Sequence, residues 1–252
     1  MNDRGDMWRV IPLETRTAAE NMAVDEAISD SVAAANVQPT IRFYRWKPSA
    51  VSIGCFQCIR DEVDVLSCES NHIDIVRRRT GGGAVYHDAN GEITYSVIAP
   101  EELFDKDIKA SYKEICSWII EGLSVTGINA RFRPINDVVV GNKKISGNAQ
   151  TRRHGVLTQH GTILHSIDRA TMFSVLKPSE KKLSDKATTS FEDYVTCALE
   201  QGCPSQQSLY NALLSGFTQE KNWKPDRLSE DEKAKTETLV EKYESDMWNR
   251  SR

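Results

Sequence analysis

The chain lacks most of the features that name a function at a glance. None of its 252 residues belongs to an apolar run of membrane-spanning length, and its first residues hold no signal core, so we expect a cytoplasmic protein with no membrane partner. It has no cationic excess: 32 Lys and Arg against 36 Asp and Glu give a net charge of −4, which argues against a nucleic-acid surface. Six scattered cysteines are no disulfide framework, and the single C-x-x-C, Cys55 and Cys58, has no second pair at metal spacing. No cysteine at all falls between residues 117 and 196. The P-loop, G-x-S-x-G and H-E-x-x-H patterns are absent, and Tyr86 stands where a dinucleotide fingerprint needs its third glycine.

What is present centres on residues 77–88. Arg77, Arg78 and Arg79 precede Thr80 and three consecutive glycines, Gly81, Gly82 and Gly83, followed by Ala84, Val85, Tyr86, His87 and Asp88. Adjacent glycines let backbone approach a ligand with no Cβ in the way, and guanidinium groups suit carboxylate or phosphate. In an acidic protein this reads as a cradle for a small anion.

Around it the patterns alternate between strand and helix. Strands are expected at 8–13, 41–46, 50–54, 73–76, 84–87 and 93–98, with 41–46 and 50–54 as a hairpin-like pair. The strands 84–87 and 93–98 are expected to pair around an Asn90-Gly91 turn. Thr17 with Glu20 forms a capping box opening a helix with one apolar face, through Met22, Ala27 and Val32. A charged helix is expected over 61–70, and an amphipathic one from Tyr112 to a stop at Gly127. Residues 138–140, 144–150 and 156–164 predict a three-stranded meander. Asp168 and Ser205 each cap a helix, 181–189 reads as a polar surface loop, and Ser229 with Glu232 opens a charged last helix with a solvated face. No repeat or linker interrupts the chain. We expect one α+β domain over 1–252, built on a mixed, largely antiparallel sheet flanked by helices.

The second informative stretch runs from Asn136 and Asp137 through Lys143, Lys144, Ile145, Ser146, Gly147, Asn148 and Ala149. A lysine held on a strand is a fixed point charge able to stabilise a developing oxyanion. It is equally the kind of lysine that guards a strand edge, and alone the pattern does not choose.

Taken together, the two stretches resemble the lipoate–protein ligase family, within the group that includes biotin ligases and octanoyltransferases. Gln159, His160, Gly161, Thr162, Ile163 and Leu164 add to the resemblance, as do Lys242, Tyr243, Trp248 and Asn249 near the end. Arg42 to Arg45 and Gly54, Phe56 and Gln57 look like the family's early strands. The likeness covers about 18–249.

The resemblance implies a catalytic domain of the biotin/lipoate-ligase type, related to class II aminoacyl-tRNA synthetases. It implies ATP-dependent activation of lipoate to lipoyl-AMP, then transfer to a lysine of an apo lipoyl domain of an oxo-acid dehydrogenase or a glycine-cleavage H-protein. Lys144 would be catalytic. Arg77, Arg78, Thr80, Gly81, Gly82, Gly83, Ala84, His87, Gly147, Ala149 and His160 would bind substrate or adenylate, with Arg77 and Arg78 neutralising phosphate charge. Asp137 is a candidate for Mg. Arg79 fills a variable position and reads as solvated, and Trp248 as a buried anchor. For His87 and His160 a structural role is as good a reading as a catalytic one.

Many ligases of this family continue past the Trp-Asn pair, so a separate small accessory subunit is expected. The alternative is an octanoyltransferase or lipoyl amidotransferase, which uses no ATP and needs a thiolate beside the family lysine. The cysteine-free interval favours the ligase over it. A non-catalytic lipoyl-binding relative also stands, against which the retained Lys144 weighs. Biotin ligase fits less well, because that branch prefers Gly-Arg-Gly-Arg to Gly-Gly-Gly-Ala.

Overall fold

The computed structural model describes residues 7–177 and 194–251. Two sheets organise the chain. The large one has eight strands in the order β11-β1-β2-β6-β10-β9-β8-β7. In chain order these are β1 (Met7–Arg16), β2 (Thr40–Trp46), β6 (Glu92–Pro100), β7 (Ala130–Arg133), β8 (Asp137–Val140), β9 (Lys143–Arg153), β10 (Val156–Leu164) and β11 (Asn222–Pro225). Only β11-β1 and β1-β2 run parallel; every other pair is antiparallel. The small sheet is β4-β3-β5, from β3 (Ala50–Ile53), β4 (Asp74–Arg77) and β5 (Val85–His87).

Neither expected hairpin forms. β2 pairs with β1 and β6, whereas β3 pairs with β4 and β5 in the other sheet. The chain leaves the large sheet at Lys47-Pro48. Likewise β5 does not pair with β6, whose first eight residues are all buried. A strand buried along both faces needs neighbours on both edges, and β6 takes β2 and β10. The meander β8-β9-β10 forms as expected. The edge strands β7 and β11 carry no alternation strong enough to have been foreseen.

Helices cover both faces of the large sheet. On one face, α4 (Ile108–Val125) and α6 (Gln206–Thr218) bury Ile115, Ile119, Leu209, Leu213 and Phe217 against Phe43, Tyr95 and Val97. On the other lies α1 (Ala18–Ala33), opened by its capping box: Thr17 Oγ1 accepts from the Glu20 amide, and Glu20 accepts from the Thr17 amide. This helix is buried nearly all round rather than on one face. It is sandwiched between the sheet and α7 (Glu230–Glu244), and its buried polar residues Asn21 and Asp25 receive the Arg42 guanidinium.

The helix expected over 61–70 breaks at the extended Val63 into α2 (Ile59–Glu62) and α3 (Val65–Ser70). Those two, with α5 (Arg169–Val175), pack on the small sheet. The Ser229–Glu232 capping box is formed. Glu232 is not solvated, however: it is fully buried and paired with Arg9 of β1. The last turn, α8 (Asp246–Asn249), packs on β4. Residues 181–189 lie outside the described residues.

Candidate active site

The glycine loop hangs between β4 and β5, and two buried arginines are its scaffold. Arg77 donates to the carbonyls of Gly54 (3.1 Å), Gln57 (2.7 Å), Trp248 (3.1 Å) and Asn249 (2.9 Å). Arg78 reaches Thr80 Oγ1, Ser52 Oγ and the carbonyls of Ser52, Gly81 and Gly83. Burial pushes its guanidinium down to about 10. The donors of both arginines thus hold the protein's own oxygens, most of them main-chain carbonyls, which define the loop. Gly82 takes φ +94°, and a Cβ on Gly54 would fall 2.0 Å from the Gly82 carbonyl oxygen, so two backbones meet there. Arg79 is not solvated either; it lies near Glu26 at 3.7 Å with a side chain only 16% exposed.

Lys144 reaches the same site by a bulge. Strict alternation from Ala149 and Gly147 would put Ile145 on the cavity face and Lys144 on the opposite one. The register shifts between Val138 and Val139, so β9 holds an extra residue here. Ile145 turns into the core with α4, and Lys144 joins Gly147 and Ala149 on the cavity side. A Cβ on Gly147 would stand 2.5 Å from Lys144 Nζ, so the lysine lies over that glycine.

Asp137 holds Lys144 at 2.7 Å and Arg133 at 2.7 Å, one through each oxygen. Burial raises its carboxyl, but Lys144 and Arg133 outweigh that and the net shift is downward. With cations on both oxygens Asp137 does not suit magnesium. Among the described residues, no group of three acidic, histidine or cysteine side chains could hold a metal.

Both motif histidines line the cavity, each between a hydroxyl and a carboxylate. His160 Nε2 meets Thr80 Oγ1 (2.7 Å) and Nδ1 meets Asp25 Oδ2 (3.4 Å). Its ring is pushed down by burial, only partly offset by Asp25. Asp25 is raised by burial, but His160 and Arg42 carry it below its ordinary value. His87 Nδ1 meets Glu92 Oε1 (2.6 Å) and Nε2 meets Ser52 Oγ (2.8 Å), under a stacked Trp46 with centroids 4.0 Å apart.

The cavity itself has a volume of 170 Å³. Of the sequence-predicted residues, Arg78, Gly82, Gly83, Ala84, His87, Lys144, Gly147, Ala149 and His160 line it; Arg77, Thr80, Gly81 and Asp137 do not. Met22, Tyr44, Trp46, Ser52 and Thr94 also line it and were not foreseen. The alternation of β2 carried the only signal, since Tyr44 and Trp46 share a face opposite Phe43.

No thiol lines the cavity. All six cysteines are free. Cys116 accepts from Asn148 Nδ2 at 3.4 Å, but from the α4 side of the sheet, and burial pushes its thiol up to about 12. Cys55 adjoins the glycine loop through its amide, which donates to the Thr80 carbonyl at 2.9 Å, and it does not line the cavity.

A strand-borne lysine over a glycine, a glycine loop on buried arginines and a cavity lined by both make up the candidate site. The family described as the lipoyl protein ligase A/B catalytic domain matches residues 17–218, and the chain belongs to it. It is an enzyme of the lipoate ligase and octanoyltransferase group. It is 34% identical to octanoyltransferase LipM of Clostridioides difficile, over 98% of this chain and 100% of that one.

Among solved structures, the bipartite lipoate–protein ligase of Thermoplasma acidophilum, described with its E2 lipoyl domain, matches with a TM-score of 0.85. The two are 32% identical, over 97% of this chain and 96% of that one. A lipoate–protein ligase A bound with ATP matches at 0.83 and 29% identity, over 97% and 98%.

The octanoyltransferase relatives overturn the expectation of an ATP-dependent, AMP-forming ligase. That expectation leaned on the missing thiol. A missing thiol excludes only a thioester on the enzyme; it does not exclude acyl transfer. Among the described residues no helix is long and apolar enough to cross a membrane.

Proposed function

We propose that this protein is an octanoyltransferase-type acyltransferase. It moves a medium-chain acyl group, octanoyl or its lipoyl relative, from a thioester on a carrier protein to a lysine amine of an acceptor lipoyl domain. The observation that carries this is the end-to-end likeness to an octanoyltransferase. The E2 lipoyl domain described with the Thermoplasma ligase supports the acceptor class, an oxo-acid dehydrogenase domain or an H-protein.

The chemistry suits the cavity. A thioester is already activated, so its aminolysis needs no nucleotide. That agrees with arginines already engaged on backbone and an Asp137 engaged with cations. The acyl chain lies along Met22, Tyr44, Trp46 and Val85, which exclude water from the carbonyl. Lys144 stabilises the oxyanion of the tetrahedral intermediate, a contribution worth roughly 10²–10³ in rate for a single donor. Asp137 and Arg133 orient Lys144. Transfer from a thioester leaves no task for an adenylating accessory subunit, and none belongs to this reading.

The test supplies purified protein with octanoyl-carrier protein and an apo lipoyl domain, with and without ATP, against free octanoate or lipoate plus ATP. Lysine octanoylation from the thioester without ATP is expected. Modification only from the free acid with ATP would sink the reading.

A further inference from the structure

In a transferase whose cavity has no thiol, a hydroxyl can hold the acyl group between donor and acceptor, and β3 supplies one. Val51 and Ile53 point into the small-sheet core, so alternation turns Ser52 to the cavity. Its Oγ lies 2.8 Å from His87 Nε2, and His87 Nδ1 lies 2.6 Å from Glu92 Oε1. The three come from three strands, β3, β5 and β6, across both sheets.

Nucleophile, base and orienting carboxylate within hydrogen-bond reach are the arrangement that activates a serine. The donors agree with it. Glu92 Oε1 accepts from Thr94 Oγ1 (2.8 Å) and, as a carboxylate, takes the Nδ1–H of His87. That leaves Nε2 as the acceptor, facing the Ser52 hydroxyl. Arg78 Nη1 donates to the same Oγ at 3.2 Å, from the side that favours a developing alkoxide. Trp46 stacks on the imidazole with an interplanar angle of 17° and donates its indole N–H to Thr94, fixing ring and threonine together.

Glu92 is fully buried, and among the described residues its only ion-pair partner is His87. Its charge is therefore balanced when the imidazole gains a proton, as it does during attack.

We propose that Ser52 carries the acyl group as an ester between donor and acceptor, with His87 as its acid and base and Glu92 as a positioning residue. The proposal rests on the acyl-transfer reading above. In the first step Ser52 Oγ attacks the thioester carbonyl, and its proton passes to His87 Nε2. The C–O bond forms, the C–S bond breaks, and the departing thiolate takes the proton back from His87. In the second, the neutral lysine amine of the acceptor attacks the ester carbonyl and gives a proton to His87. The C–N bond forms, and Ser52 leaves with that proton. No oxidant, metal or nucleotide enters either step. Lys144, in the wall of the same cavity, serves the oxyanion of both.

The test incubates the full chain with octanoyl-carrier protein without acceptor, quenches in acid, and locates any adduct by intact mass and peptide mapping. One octanoyl group is expected on the peptide bearing Ser52, resistant to neutral hydroxylamine and chased onto lysine when the apo domain is added. Ser52→Ala loses both adduct and transfer, by about 10²-fold or more. Ser52→Cys restores the adduct in hydroxylamine-labile form, which separates chemistry from folding. Glu92→Gln lowers kcat about 10²-fold with KM for the octanoyl thioester unchanged.

Transfer surviving in Ser52→Ala, or an adduct on a cysteine, overturns the serine while leaving the transferase reading intact. Neither adduct nor transfer from the thioester in the unsubstituted chain overturns that reading, and the serine with it.

Discussion

His87 and His160 line one cavity with the same kinds of partner, yet they are built to behave differently. Each has a hydroxyl on Nε2 and a carboxylate on Nδ1, and a single guanidinium, Arg78, donates to both hydroxyls. The carboxylates set them apart. Asp25 also holds Arg42 (2.9 Å), Ser96 (2.6 Å) and Tyr44, and stands 3.4 Å from its histidine. Among the described residues Glu92 pairs with no arginine or lysine, and it stands 2.6 Å away. The hydroxyls differ too: Ser52 opens on the cavity and Thr80 does not. A histidine whose carboxylate also holds an arginine is a structural strut; His87, whose carboxylate has no other charged partner among the described residues, faces a hydroxyl that opens on the cavity.

The widest gap between the two should appear in stability. Asp25→Ala removes the nearest anion of the buried Arg42, leaving it Asn21 and a Glu14 at 3.5 Å, and should cost about 3 kcal/mol. Glu92→Ala strands no arginine or lysine among the described residues and should cost clearly less. Urea unfolding measures both, and equal losses would break the comparison.

Turnover should separate them in the opposite sense. Thr80→Ser keeps its hydroxyl outside the cavity and should leave octanoyl transfer within a few-fold, whereas Ser52→Ala removes it. A Thr80→Ser enzyme as impaired as Ser52→Ala would mean that both histidines act in one chain. Gly147→Ala asks whether Lys144 works at a fixed position. The new methyl displaces the ammonium, and a shift of that size should lower transfer by up to about 10²-fold with an unchanged unfolding midpoint. Unimpaired transfer would remove the lysine from the reacting carbonyl.

The smallest effect is a pH dependence to which His160 contributes. Its folded-state ring is held below the ordinary value of 6.5, chiefly by burial. The unfolded chain therefore binds more protons between the folded value and 6.5. Stability is complete above 6.5 and falls as pH drops through that window. His165 adds to the slope, since burial lowers it as well. His160→Gln should flatten the dependence of the urea midpoint on pH below 6.5; an unchanged slope would assign it elsewhere.

Much of this was legible in the sequence where the interactions are local. Thr17 with Glu20, Asp168, Ser205, and Ser229 with Glu232 each satisfy amides within a few residues, and each formed as read. The glycine loop and Lys144 were visible because their residue types are unusual in their places. Partner choice was not legible. Alternation says which face a side chain takes and nothing about which strand lies alongside, so 41–46 and 50–54 looked like a hairpin although they belong to two sheets.

The arginines misled for a related reason. A cationic run reads as an anion site, but the oxygens that occupy Arg77 include carbonyls 171 and 172 residues away in sequence. Glu92 and Ser52 drew no attention in a strand pattern, since an isolated carboxylate and an isolated hydroxyl carry no signal until folding brings a histidine between them. The missing thiol was a real observation from which too much followed, and the relatives corrected it.

The link between Arg77 and the last helical turn has a consequence in time. Trp248 and Asn249 hold both the backbone and the guanidinium of Arg77, at the foot of the glycine loop. During synthesis that strand waits for residues 248 and 249 to leave the ribosome before its foundation exists. A nascent or clipped chain can assemble both sheets and still present an unset loop. The glycine loop therefore gains its footing only after residues 248 and 249 have folded back onto β4.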